Sequence, residues 1–327
     1  MAQSPSNQSK YKLHARIDSS KTGYHYGKQI PELRHLYDYV KRCYAKTHEI
    51  YVLLISIGKK DYIGGFHLVK KSGKQKTNVI AQNLLQSFEK ILPKSLRPQW
   101  KSHVRISLDG AWGKGKMIEW LHGNQYHKIA IKSGGVDRVE MDGLEMRLIE
   151  VKKSLIDLSS ESDWLSFHPC HNLDGITNQL EKWQLVSSGL FIWILTLRFH
   201  SSKSGSKPRY LTLLSLDIDR WYAYQVVQTY KGRWSIETMF RTCKQYCDLE
   251  KISFWDAKKE KKRSTNEAID RIELMLSLRF ISYMVINWYR VAHTRWSRTG
   301  LQDVIHRWEL YFDGLSAKAF QELFSGT

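Results

Sequence analysis

The chain has 327 residues, 42% of them hydrophobic and 25% charged, which suits a globular fold of one large or two modest domains. Lys and Arg number 51 against 32 Asp and Glu, a formal net charge of +19. That imbalance points to a polyanionic partner, because each phosphate neutralised by a protein cation releases counterions. Four cysteines (Cys43, Cys170, Cys243, Cys247) are too few to staple a chain this long and none forms a CxxC pair, so a reducing cytoplasm is expected and structural zinc is not. Residues 1–10 are polar, unlike a signal peptide, and the most apolar stretch, 272–288, carries Glu273 and Arg279. A charge at mid-bilayer costs roughly 2.5–3.5 kcal/mol, so that stretch reads as a buried helix and not a membrane span.

In chain order, residues 13–17 read as a strand ending at Asp18, followed by a Ser-Ser-Lys-Thr-Gly turn. Residues 32–46 carry Leu33, Leu36, Tyr37 and Val40 at helical spacing and predict a helix or helical turn. The apolar run 49–57, closed by Gly58, predicts a buried strand, with 62–69 as its antiparallel hairpin partner. Residues 78–92 place Ile80, Leu84, Leu85, Phe88 and Leu92 on one helical face, stopped by Pro93. A strand over 104–108 runs into Asp109, a helix follows over 115–122, then a strand over 127–132. Two strands therefore end on an aspartate, and strand ends are where sites collect in α/β sheets.

Residues 136–215 differ in texture. Alternating apolar segments at 143–151, 190–199 and 210–215 stand among polar loops and read as a largely β insertion. Beyond it, 222–249 reads as helical, 257–264 as a basic loop and 266–294 as a long buried helix. The helical segment holds Tyr230, Arg233, Glu237 and Lys244 at steps of 3, 4 and 7, which places a phenol, a guanidinium, a carboxylate and an ammonium on one stripe of an α-helix. A carboxylate there adds a third hard-oxygen ligand to the two aspartates, a donor set suited to Mg²⁺. The cations and the phenol suit phosphate.

The Tyr-x2-Arg-x3-Glu-x6-Lys pattern resembles the signature of bacterial insertion-sequence transposases of the DDE class, the Tyr-Arg-Glu-Lys group. The segments Ile17-Asp18-Ser-Ser-Lys-Thr-Gly and Leu108-Asp109-Gly-Ala-Trp, the latter followed by a short helix and a lysine-ended strand, are similar to that family's two aspartate segments. The resemblance spans residues 12–288. It implies a ribonuclease-H-like mixed sheet flanked by helices, its first and fourth strands adjacent, with the β-rich insertion before the last catalytic helix. The implied layout is a first part of the core over 1–135, the insertion over 136–218, the rest of the core over 219–294 and a C-terminal helical extension over 295–327.

The activity implied is metal-dependent cleavage at mobile-element ends followed by strand transfer. Asp18, Asp109 and Glu237 are then catalytic residues and ligands of two Mg²⁺ ions, for which Mn²⁺ would substitute, while Tyr230, Arg233 and Lys244 bind DNA. The implied partners are double-stranded DNA and a second copy of the chain assembled on it, in a bacterial nucleoid. Family members carry a DNA-binding region before the first aspartate, where only 17 residues stand here, so end-specific recognition is expected to be weak. Two alternatives are a ribonuclease-H-like nuclease without strand transfer and a truncated non-catalytic DNA-binding relic.

Blander roles are expected elsewhere. Asp61, Asp137 and Asp142 read as turn residues, and Asp217 and Asp219 as helix N-caps. Trp112, Trp193, Trp221 and Trp234 are candidates for stacking on bases, but aromatic residues more often build core. The run 258–263 is a solvated basic loop with the charge to touch DNA.

Overall fold

The computed structural model describes residues 13–22, 32–38, 42–58, 60–71, 75–112, 115–134, 137–200, 206–216, 222–250 and 265–292. The first half comprises β1 (Leu13–Lys21), β2 (Arg34–Asp38), β3 (Cys43–Thr47), β4 (Glu49–Ile57), β5 (Lys60–Leu68), α1 (Thr77–Ile91), α2 (Arg97–His103), β6 (Arg105–Leu108), α3 (Gly115–Gly123) and β7 (Ile129–Lys132). Then come β8 (Arg138–Met141), β9 (Leu144–Arg147), α4 (Leu148–Asp157), β10 (Leu165–Ser166), β11 (Ile176–Leu185), β12 (Phe191–Phe199) and β13 (Arg209–Ser215). Three helices follow: α5 (Ala223–Gly232), α6 (Trp234–Tyr246) and a long one, here α7 (Thr265–Ala292). The basic loop expected over 257–264, the extension over 295–327, Asp217, Asp219 and Trp221 lie outside the described residues.

The protein is α/β. One mixed sheet of 11 strands runs β5-β4-β1-β6-β7-β13-β12-β11-β8-β9, with β10 added beside β11. Within it β1 lies parallel to β6 and β6 to β7, while β4 and β5 are antiparallel neighbours. The strands of residues 138–215 join the same sheet, because β13 pairs with β7 antiparallel at Leu213↔Lys132 and Leu214↔Ile131. No helix among the described residues is long and apolar enough to cross a membrane.

β4 shows why its sequence is a near-continuous apolar run. Tyr51, Leu53 and Ile55 enter a core that also holds Ile80 and Leu85 of α1 and Met117 and Ile118 of α3. Ile50, Val52 and Leu54 enter a second core with Ile236, Met239 and Phe240 of α6 and Ile272, Leu276 and Phe280 of α7. A strand covered on both faces has no polar side to alternate with. β1 is its contrast. Ala15 and Ile17 join the first core, and the intervening His14, Arg16 and Asp18 point to the α5–α6 side.

Five local expectations are corrected. Where a helix was expected over 32–46, Arg34–Asp38 and Cys43–Thr47 pair as the antiparallel strands β2 and β3; Glu32 and Arg42 adopt φ of 58° and 51°, which no α-helix accommodates, and Tyr37 packs edge-on against Tyr44 across the pair. β1 does not stop at Asp18, because Ser19, Ser20 and Lys21 go on pairing with Tyr51, Ile50 and Glu49 of β4. The alternation over 143–151 covers a strand and then a helix: α4 starts at Leu148, buries Leu148, Val151 and Leu155 at helical spacing, and its Glu150 accepts from the Arg147 backbone N–H at 2.8 Å. The helical stretch 222–249 is broken at Arg233, and α7 is buried along one side only, leaving Leu274, Leu278, Ile281 and Trp288 exposed.

Candidate active site

Parallel pairing of β1 and β6 ends at Ile17↔Leu108, so Asp18 and Asp109 are the next residues along two adjacent strands. Both follow an apolar residue locked in the first core, which fixes the carboxylate-bearing side of each strand. Opposite them stands the corner between α5 and α6. Short turns bracket Arg233 there: its N–H donates to the Tyr230 carbonyl at 2.9 Å, and the Ile236 N–H donates to the Arg233 carbonyl at 3.0 Å.

Gly232 permits the close approach of this corner. A Cβ at that position would sit 2.7 Å from His14 Cε1 and 2.9 Å from His14 Nδ1. The His14 ring is itself held between two β-strand partners: its Nε2 is 2.9 Å from the Ser107 hydroxyl and its Nδ1 2.7 Å from Arg16 Nη2. Burial, together with the charges of Arg16 and Arg105, pushes the imidazole well below its ordinary 6.5, so it is neutral and accepts from Arg16. Arg16 also donates to the Ser56 hydroxyl at 2.5 Å, and burial lowers its guanidinium to about 10.

Seated this way, Arg233 reaches both acids that flank it. Its Nη1 donates to Asp18 Oδ2 at 3.1 Å and its Nη2 to Glu237 Oε1 at 2.5 Å. Asp18 also accepts from the Ser19 backbone N–H at 2.8 Å. Asp109 has different company: Lys132 Nζ lies 3.7 Å from its Oδ1, and the Tyr230 hydroxyl donates to the same oxygen at 3.5 Å. Tyr230 and Arg233 stack face to cation, 5.6 Å from Cζ to the ring centroid. Two strand-end aspartates and a helix glutamate from segments far apart in sequence thus gather on one side of the sheet, the Arg233 guanidinium bridging Asp18 and Glu237 and Lys132 standing beside Asp109.

Burial raises the Asp18 carboxyl from its ordinary 3.8 to about 6. The negative charges of Asp109 and Glu237 push the same way, while the Ser19 N–H and Arg233 oppose them. The donor set is all carboxylate oxygen, which suits a hard cation. Among the described residues no group of His, Cys, Asp and Glu closes to metal-holding distance, and between Asp18 and Glu237 the Arg233 guanidinium fills the gap.

The predicted stripe is brought together in part. Tyr230, Arg233 and Glu237 meet the aspartates, but Lys244 pairs with Glu250 at 3.1 Å, two turns of α6 beyond Glu237. Among the tryptophans Trp112 is core at 1% exposure, with its ring edge-on to Tyr51. Trp193 of β12 lies under Lys182, and Trp234 is 59% exposed beside Arg241. Asp61, expected in a turn, is a β5 strand residue paired with Ser56, and its carboxylate accepts from the Ser56 and Tyr283 hydroxyls; Asp142 is a left-handed turn residue between β8 and β9, and the Asp137 carbonyl accepts from the Leu148 N–H. The four cysteines are free thiols, with Cys243 and Cys247 buried on α6 and just past its end.

Sequence reasoning passed over His14, Arg16 and Ser107. The signal was present: a strand alternating Ala15 and Ile17 with His14, Arg16 and Asp18 keeps its whole polar side toward the site. Comparison with protein-family models and with curated proteins finds no match.

Proposed function

We propose that this chain is the catalytic domain of a DNA transposase of the DDE class, built on a ribonuclease-H-like core, with Asp18, Asp109 and Glu237 as its metal-binding carboxylates. The observation that carries the reading is the bridge made by Arg233 between Asp18 and Glu237, with Asp109 on the neighbouring strand. Strand order supports it: β5-β4-β1-β6-β7, with β1 and β6 parallel, is the order expected of such a core. So does the net charge of +19, which suits a DNA substrate.

Two Mg²⁺ ions, or Mn²⁺ in their place, would supply activation of a water or 3′-hydroxyl and charge stabilisation at the attacking and leaving oxygens of an in-line displacement. Asp18, Asp109 and Glu237 are the residues that would hold them. Arg233, which holds Asp18 and Glu237 here, has the planar fork that would grip a phosphate in two places once those carboxylates held the metal. Tyr230 and Lys132, on the Asp109 side, set the other wall of the phosphate's seat. Positioning of this kind contributes a large part of phosphoryl-transfer catalysis. Mobile-element ends as substrate, and assembly of two copies on DNA, follow from the resemblance of the Tyr230-Arg233-Glu237-Lys244 pattern.

The deciding experiment incubates end-bearing duplex with the protein and Mg²⁺, then with Glu237→Gln. Nicks and joined products that depend on both the metal and Glu237 are expected. Nicks without joining identify a nuclease of the same fold, and DNA binding with no metal-dependent nicking sinks the catalytic reading.

A further inference from the structure

We propose that the cleft between α6 and α7 is a second phosphate subsite, which holds the DNA backbone one nucleotide step away from the phosphate under attack. The cleft has a volume of about 530 Å³, is floored by Arg16 and Asp61, and is walled by Lys231, Ser235, Thr238 and Thr242 among others. Two donors in its lining are buried without an acceptor, the Arg16 Nε and the Ser235 hydroxyl. Arg16 is only 6% exposed, and what reaches its Nε has to come through the cleft. Buried donors left unpaired are costly, and the partner that satisfies a guanidinium and a hydroxyl together is an oxyanion.

The charge agrees. Arg16 and Lys231 stand against one carboxylate, Asp61, which is already engaged by the Ser56 and Tyr283 hydroxyls while its backbone N–H donates to Asn287 at 3.1 Å. Ser235, Thr238 and Thr242 follow one another at steps of 3 and 4, so a row of hydroxyls faces the cleft along α6, and hydroxyls are common phosphate contacts. The position fixes which phosphate. Arg16 and Asp18 lie two residues apart on the same face of β1, about 7 Å, which leaves one nucleotide step between a phosphate at the carboxylates and one over Arg16.

The subsite rests on the reading of the carboxylate edge as a DNA-processing site, but its occupancy needs neither metal nor chemistry. The test therefore uses the metal-free protein and titrates duplex DNA across a salt series, with inorganic phosphate titrated separately. Arg16→Gln removes bonds to Ser56 and His14 and risks the fold, so Lys231→Gln and Ser235→Ala carry the test, with thermal melting as a check on folding. For Lys231→Gln we expect the slope of log K against log salt to fall by about 0.9, and for Ser235→Ala a several-fold loss of affinity at an unchanged slope. Wild-type affinity and slope in both variants overturn the proposal. So does protection by inorganic phosphate that both variants lose while DNA binding stays intact, which would mark a free-anion site. Loss of DNA affinity in the variants of a protein that never nicks with Mg²⁺ would retire the transposase reading and leave the subsite standing.

Discussion

The two faces of β1 and β6 are built on opposite rules. Toward α1 and α3, Ala15, Ile17, Ile106 and Leu108 are wholly buried among apolar side chains. Toward α5 and α6, Asp18 and Asp109 meet Arg233 and Tyr230 through an ion pair and a hydrogen bond, while His14, Arg16 and Ser107 bond to one another on the same side of the strands. One face gains its stability from transfer of apolar area out of water, non-directional and tolerant of small shifts. The other depends on geometry, since each buried polar group must meet a partner. The apolar face anchors the strands so that the polar face can hold acids that repel one another.

The largest contrast is expected from opposite substitutions on the two faces. Leu108→Ala should cost roughly 2–5 kcal/mol of stability, as large-to-small changes in a closed core do, read by denaturant unfolding. Asp109→Asn, one residue on, should leave stability nearly unchanged and reduce Mg²⁺-dependent nicking by about a thousandfold or more. If Asp109→Asn unfolds the protein as readily as Leu108→Ala, the division of labour between the faces is wrong.

Gly232→Ala tests the corner itself. The new methyl meets the His14 ring, so the corner has to move, at a cost of about 1–3 kcal/mol for overpacking. The Arg233 bridge should move with it, and nicking should fall further than folding. A His14→Ala change in the same chain should restore part of the loss, because it clears the atoms the methyl strikes.

Proton binding at Asp18 gives a pH signature. Its folded value is about 6 against an ordinary 3.8, so between those values the folded state holds a proton that the unfolded state has released. Stability of the metal-free protein should therefore fall as pH rises from 4 to 6, by an amount on the order of 2–3 kcal/mol in total. Asp18→Asn removes the ionisation, so it should stabilise the metal-free protein at pH 7 and lose that advantage near pH 4. Metal affinity should weaken below about pH 6 for the same reason. A melting difference between the two proteins that does not vary with pH would show that burial does not raise Asp18 above its ordinary range.

The smallest effect belongs to Lys244. Its pairing with Glu250 is half-exposed, and such pairs contribute about 0–1 kcal/mol. Lys244→Ala should leave the melting temperature in place. If it leaves the salt dependence of DNA binding in place too, its expected part in gripping phosphate is wrong.

By itself the sequence determined the elements whose periodicity is long and unmixed: the doubly covered β4, the helix α1 stopped before Pro93, and the strands that lead into Asp18 and Asp109. These follow from local rules, since side-chain direction repeats every 2 or 3.6 residues whatever the rest of the chain does. It misread residues 32–46, where four apolar residues fit a helix and a hairpin alike and the left-handed turns at Glu32 and Arg42 carry no glycine to announce them. Only the tertiary structure decided that the strands of 138–215 continue the sheet of the first half, that Arg233 lies between Asp18 and Glu237 while Lys244 turns to Glu250, and that His14 and Arg16 support the corner. Asp18 and Arg233 are 215 residues apart, and nothing local to either specifies the other. Their meeting is settled by which apolar faces bury each other best, a property of the folded chain as a whole.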